Sequence, residues 1–99
     1  MEDPIWSTVQ ASRAWLDKAN GSDNGALTFR ILKVTEEAGE AAAAWIGAVG
    51  NNPRKGVTHT TEHVAAELAD VAMAALVAIE SRTEVTDAYV ARSLVPVWT

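Results

Sequence analysis

The stretch Val64-Ala65-Ala66-Glu67-Leu68-Ala69-Asp70-Val71-Ala72-Met73-Ala74-Ala75-Leu76-Val77-Ala78-Ile79 decides how this chain folds. It contains no proline or glycine and is rich in alanine and leucine, the strongest helix formers, so it reads as a helix. Only Glu67 and Asp70 carry charge in it. A helix apolar on every side is built to be buried on most sides. Two carboxylates three residues apart lie on one helical face about one turn apart, so both point to the same place within that apolar setting. They require a counter-charge.

Upstream, Glu36, Glu37 and Glu40 precede the alanine run Ala41–Ala44 and Trp45-Ile46. Glu37 and Glu40 repeat the three-residue spacing. If the two helices pack antiparallel through their apolar faces, the carboxylates of Glu37, Glu40, Glu67 and Asp70 meet. Their mutual repulsion in a low-dielectric region would be severe without a cation. Hard oxygen ligands in that number suit Mg²⁺, or Mn²⁺, in octahedral coordination with positions left for water and phosphate. Against this stands the reading of a solvated face, because Lys33 sits four residues before Glu37 and can form an ordinary intrahelical ion pair. One Glu-x-x-Glu on a helix supports only that bland reading. Two such pairs on two helices, one in an apolar run, favour a site.

The remainder of the chain extends the helical pattern. Ile5, Val9, Trp15, Leu16 and Ala19 recur near helical spacing, giving an amphipathic helix over about 5–19 that ends in the turn-rich Asn20-Gly21-Ser22-Asp23-Asn24-Gly25. A long second helix is expected from about Ala26 to Val49, closed by Gly50-Asn51-Asn52-Pro53. Thr58 or Thr60 can cap the third helix, which should run to about Arg82. A shorter last helix is expected over about 84–94, and Pro96 blocks its extension. The expectation is a single all-α domain over residues 1–99, a four-helix bundle. The chain is short for the core its third helix needs, so dimerisation should complete it.

Composition sets the remaining bounds. Hydrophobic residues form 48% of the 99 residues and charged ones 21%, too apolar for intrinsic disorder. A net charge of −5 and a pI near 4.8 argue against a nucleic acid polymer or an anionic membrane as partner. There is no cysteine, which removes disulfides, thiolate metal sites and cysteine nucleophiles together. The acidic start Met1-Glu2-Asp3-Pro4 lacks a secretory pattern, and no stretch reaches the roughly 18 apolar residues of a membrane span. A cytoplasmic location is the resulting expectation.

Glu36-Glu37-Ala38-Gly39-Glu40 followed by Glu67-Leu68-Ala69-Asp70-Val71 resembles the paired Glu-Glu-x-x-Glu and Glu-x-x-Asp motifs of the MazG-like, all-α nucleoside triphosphate pyrophosphohydrolases. The resemblance extends from about Trp6 to Ile79, and motif order, helical context and separation agree. It implies a MazG-like bundle in which Glu37, Glu40, Glu67 and Asp70 bind Mg²⁺. It further implies hydrolysis between the α and β phosphates of (deoxy)nucleoside triphosphates, and assembly as a homodimer or homotetramer. The phosphoribosyl-ATP branch of these enzymes would suggest a tyrosine-histidine pair, and none follows Asp70. Members also carry an asparagine, lysine or arginine on a helix beyond the second motif, where this chain offers only Arg92.

The catalytic candidates are Glu37 and its neighbour Glu36, which is offset about 100° on the helix and placed to orient or deprotonate an attacking water. Lys33, Arg54 and Lys55 are the candidates to neutralise substrate phosphates. Matching members carry a lysine where Lys33 stands. Of the four tryptophans at 6, 15, 45 and 98, Trp6 is the candidate to stack on a nucleobase. His59 and His63 have a zinc-compatible spacing, but two histidines alone do not make a site. A second reading of the same residues is a helical dimerisation or nucleotide-sensing module that keeps the metal site and turns over little.

Overall fold

The computed structural model describes residues 4–82, which form three helices and, among those residues, no strand. The expected last helix over 84–94, with Arg92, Pro96 and Trp98, lies outside the described residues. Helix α1 spans Pro4–Asn20, α2 spans Asn24–Val49 and α3 spans Thr61–Arg82, close to the spans the periodicity predicts. No helix among the described residues is long and apolar enough to cross a membrane.

Local chemistry sets each boundary. Gly21, at φ +82°, turns the chain after α1, and its N–H donates to the Asp17 carbonyl at 2.9 Å. Asp23 caps α2 by accepting the Ala26 N–H at 2.9 Å. Gly50, left-handed at φ +67°, ends α2, and the Asn51 N–H reaches back to the Ile46 carbonyl at 3.1 Å. At the start of α3, the His63 N–H donates to Thr60 Oγ1 and the Thr60 N–H donates to His63 Nδ1, both at 3.2 Å. This reciprocal pair is a capping box with histidine in the position usually held by glutamate.

Helices α2 and α3 form an antiparallel hairpin. Arg30, near the start of α2, reaches Ser81 at the end of α3, while the Thr58 N–H, just before α3, donates to the Gly47 carbonyl near the end of α2 at 3.0 Å. Small buried residues on α2, Ala41, Ala44 and Gly47, let the backbones approach. The approach is closest at Gly47, where an added Cβ would strike the His59 imidazole and the Thr58 hydroxyl. Val9 of α1 is fully buried, and Val77 and Ala78 of α3 complete a small core.

That core is smaller than an all-apolar α3 leads one to expect. Leu68 is 55% exposed, and on α2 Trp45, Ile46 and Val49 are exposed as well. The described chain covers α3 on the side facing α2 and α1, and an apolar face remains on the other.

Candidate metal centre

The antiparallel hairpin brings the two acidic motifs level with each other. Glu37 projects from the buried face of α2, and only 8% of it is exposed. Glu67 and Asp70, one turn apart on α3, face it. One oxygen each of Glu37, Glu67 and Asp70 can be chosen so that all three lie within 4.8 Å of one another. A second such group is made by Glu36, Glu37 and Glu40 along α2. Glu37 therefore belongs to both groups, and the four expected ligands divide into a three-acid cluster across the helices with Glu40 at its flank. Electrostatics tie the flank to the cluster: the Glu40 carboxyl is pushed above its ordinary 4.5, first by the neighbouring Glu37 charge, then by desolvation and by Glu67 across the hairpin.

Two oxygens in this cluster, Glu37 Oε2 and Glu67 Oε2, are buried without a hydrogen-bond partner. Buried carboxylate oxygens are rarely left in that state, since each forfeits its hydration. The other Glu37 oxygen, Oε1, lies 3.0 Å from Lys33 Nζ, which also grips Glu36 Oε1. The hydrogen bonds it donates to Glu36 and then to Glu37 hold the Lys33 ammonium well above the usual lysine range. Two acids thus share one cation, and Glu67 and Asp70 have none at comparable distance among the ion pairs of the described residues. Two buried, orphaned oxygens beside the exposed Asp70 and Glu40, with an excess of negative charge, are hard donors of the chemistry that fits a divalent cation such as Mg²⁺.

The cluster opens on a cavity of about 600 Å³ between the three helices. Lys33, Glu37 and Asp70 line its polar end, and Leu16, Phe29, Met73, Ala74 and Val77 line its apolar part. Phe29, though 74% exposed, borders this space, and Arg30 forms part of the wall. Arg30 is buried and held on three sides: Nη1 donates to Asp17 Oδ1 at 2.7 Å and to Ser81 Oγ at 2.9 Å, and Nη2 donates to the Gly21 carbonyl at 2.8 Å. Arg13 extends the network to Asp17 at 3.0 Å and toward buried Glu80 at 3.8 Å. One guanidinium therefore joins the end of α1, the start of α2 and the end of α3, and fixes the wall of the cavity.

The other expected site residues fall elsewhere. Arg54 and Lys55 stand exposed in the turn after α2, where the Arg54 N–H donates to Asn52 Oδ1 at 3.0 Å. At a rise of about 1.5 Å per residue, the end of α2 lies roughly 18 Å along the helix from Glu37, so this turn is not brought to the cluster. Trp6 is half-buried on the first turns of α1 and does not line the cavity; Trp15 borders a separate shallow hollow with Ser12 and Leu16. His59 and His63 meet edge to face at 5.8 Å with their Nδ1 atoms engaged by Thr58 and Thr60, a capping arrangement that does not join any acid cluster. Phe29 and Arg30 were not expected from the sequence. An arginine inside a helix reads as a solvated residue, and the partners that bury Arg30 come from α1 and α3.

No family model matches the chain, and neither does any curated protein or solved structure.

Proposed function

We propose that this chain is a Mg²⁺-dependent, MazG-like nucleoside triphosphate pyrophosphohydrolase. The observation that carries the reading is the meeting of Glu37, Glu67 and Asp70 with two buried, unpartnered carboxylate oxygens, beside a largely apolar cavity that Glu37 and Asp70 line. When bound, Mg²⁺ (or Mn²⁺) neutralises the acids and makes a coordinated water more acidic. Glu37, Glu67 and Asp70 would hold it, with Glu40 at the flank. Glu36, exposed beside Glu37, accepts a proton from the attacking water. That water adds to the α-phosphorus, the bond from the α-phosphorus to the α–β bridging oxygen breaks, and pyrophosphate leaves with monophosphate as the other product. Lys33 supplies positive charge to the phosphates, and the cavity beside Phe29 and Met73 receives the nucleoside. Dimerisation completes the bundle, and pairing of the exposed α2 and α3 faces of two copies covers Trp45 and Leu68.

The test is pyrophosphate release from a panel of ribo- and deoxyribonucleoside triphosphates with Mg²⁺, alongside sedimentation at micromolar concentration. The expected result is turnover that chelator abolishes, from a species of at least two chains. A protein that binds Mg²⁺ and nucleotide yet releases no pyrophosphate is the sensing module instead.

A further inference from the structure

Lys33 occupies an unusual place for a residue assigned to substrate phosphate. Its ammonium is already spent on Glu36 and Glu37, two residues of the acidic motif itself. We infer that Lys33 is a built-in stand-in for the divalent cation: it neutralises Glu37 while the metal is away, is displaced when the metal arrives, and is thereby delivered to the phosphate of the incoming substrate. The inference rests on the pyrophosphohydrolase reading for the identity of that phosphate, but the exchange itself concerns only this chain and the metal.

The argument runs from charge and burial. Glu37 is more than nine-tenths buried, with Oε2 unpartnered and Oε1 held by Lys33 at 3.0 Å. A buried carboxylate that lost every cation would suffer an uncompensated desolvation, and without metal the Lys33 ammonium, 3.0 Å from Oε1, is the cation that compensates Glu37 among the ion pairs of the described residues. A dication seated between Glu37, Glu67 and Asp70 places a second, larger positive charge against the same carboxylate. The two cations would repel at close range in a partly desolvated site, where three carboxylates would hold a dication against the single contact that Lys33 makes with Glu37. Lys33 is able to leave. Its side chain is 54% exposed on a flexible four-carbon stem, and it lines the same cavity as Asp70. Freed from Glu37, the ammonium would keep only the exposed Glu36 as partner and would reach a substrate phosphate in the cavity that Lys33 lines. Metal then precedes nucleotide, and Lys33 acts as a positioning residue that couples the two.

The exchange is read without turnover. In proton–nitrogen spectra of lysine ammonium groups, assigned with the Lys33→Met variant, the Lys33 signal is expected in chelator because an ion-paired ammonium exchanges slowly. Saturating Mg²⁺ should shift or extinguish it and leave Lys18 unmoved. A triphosphate analogue with a methylene bridge between the α and β phosphorus atoms, added next, should restore it at a new position. By calorimetry, Lys33→Met should bind Mg²⁺ about five- to tenfold more tightly, as expected when a competing cation is removed, and bind the analogue about tenfold more weakly. Lys18→Met should change neither. A Lys33 signal unmoved by Mg²⁺ while calorimetry records binding overturns the inference, as does the absence of any divalent binding. If the exchange occurs but no nucleotide yields pyrophosphate, the exchange stands and the hydrolase reading fails.

Discussion

Replacing Glu67 by glutamine sets the metal centre against a merely solvated acidic face. One Glu67 oxygen lies within 4.8 Å of oxygens on Glu37 and Asp70, and its Oε2 is buried without a partner. At that separation Coulomb's law gives about 3.5 kcal/mol per like-charged pair at an effective dielectric of 20, and about 1 kcal/mol in water. Lys33 offsets part of the Glu37 charge, and Asp70 is exposed, so both pairs belong toward the watery limit. Their sum is then about 1–2 kcal/mol of repulsion that the neutral amide removes. For a domain of this size, 1 kcal/mol moves Tm by about 4–8 °C, so Glu67→Gln should melt about 4–16 °C above the parent in chelator. The sign reverses with metal. Binding confined to the native state stabilises by mass action, about 2.7 kcal/mol at a hundred times Kd, and the variant should lose most of that rise together with pyrophosphate release. Both proteins are compared at one concentration, because association also shifts Tm. A variant within about 0.5 kcal/mol of the parent in chelator, equally stabilised by Mg²⁺ and fully active, would refute the convergence of these acids.

Three further outcomes follow from the same geometry. Arg30→Met removes three hydrogen bonds and leaves Asp17 with Arg13 alone, so the urea midpoint should fall by the equivalent of about 2–3 kcal/mol at unchanged m-value. Gly47→Ala gains up to about 1 kcal/mol of helix propensity but forces an overlap with His59 and Thr58 costing about 1–3 kcal/mol; thermal melts should show net loss, partly recovered by adding His59→Ala. In metal-free protein, Glu40 is held above its ordinary 4.5, so its folded form favours the proton and its contribution is lost as pH rises through the raised value. Stability relative to Glu40→Gln should therefore decline as pH rises above the ordinary 4.5 and cease to do so with saturating Mg²⁺, as followed by Tm in a pH series. Glu62, lowered first by its own backbone N–H at the start of α3, acts with the opposite sign and only below 4.5, which keeps the two effects apart.

What was legible in the sequence was what depends on neighbours along the chain. The apolar run of α3, the Gly50 stop and the three-residue spacing of the acids are all local patterns, and the helices and the Glu37, Glu67 and Asp70 cluster follow from them. Even the capping threonine was narrowed to Thr58 or Thr60. The role of His63 was not, because a histidine in a capping box is chemically plausible only once its Nδ1 is seen to accept the Thr60 N–H. Burial of α3 was overestimated for a related reason. Periodicity reports how many faces of a helix are apolar, and it cannot report whether one chain or two will cover them.

The least legible part was the cavity wall, and the reason is one of distance along the chain. Arg30 is separated from Asp17 by 13 residues and from Ser81 by 51, so nothing in its own helix distinguishes it from a solvated arginine such as Arg54. Tertiary structure turns it into the residue that binds α1 to the hairpin. Lys33, one turn further, has the reverse history: its pairing with Glu36 and Glu37 is entirely local, and the sequence read it as the ordinary surface alternative to a metal site. The hairpin makes these two readings compatible, because it buries Glu37 and leaves its second oxygen without a partner. An ion pair that neutralises one oxygen of a buried carboxylate and leaves the other orphaned beside two more acids satisfies only half of the site. The remaining negative charge is what a divalent cation would answer, and the local ion pair is the contact it would have to break.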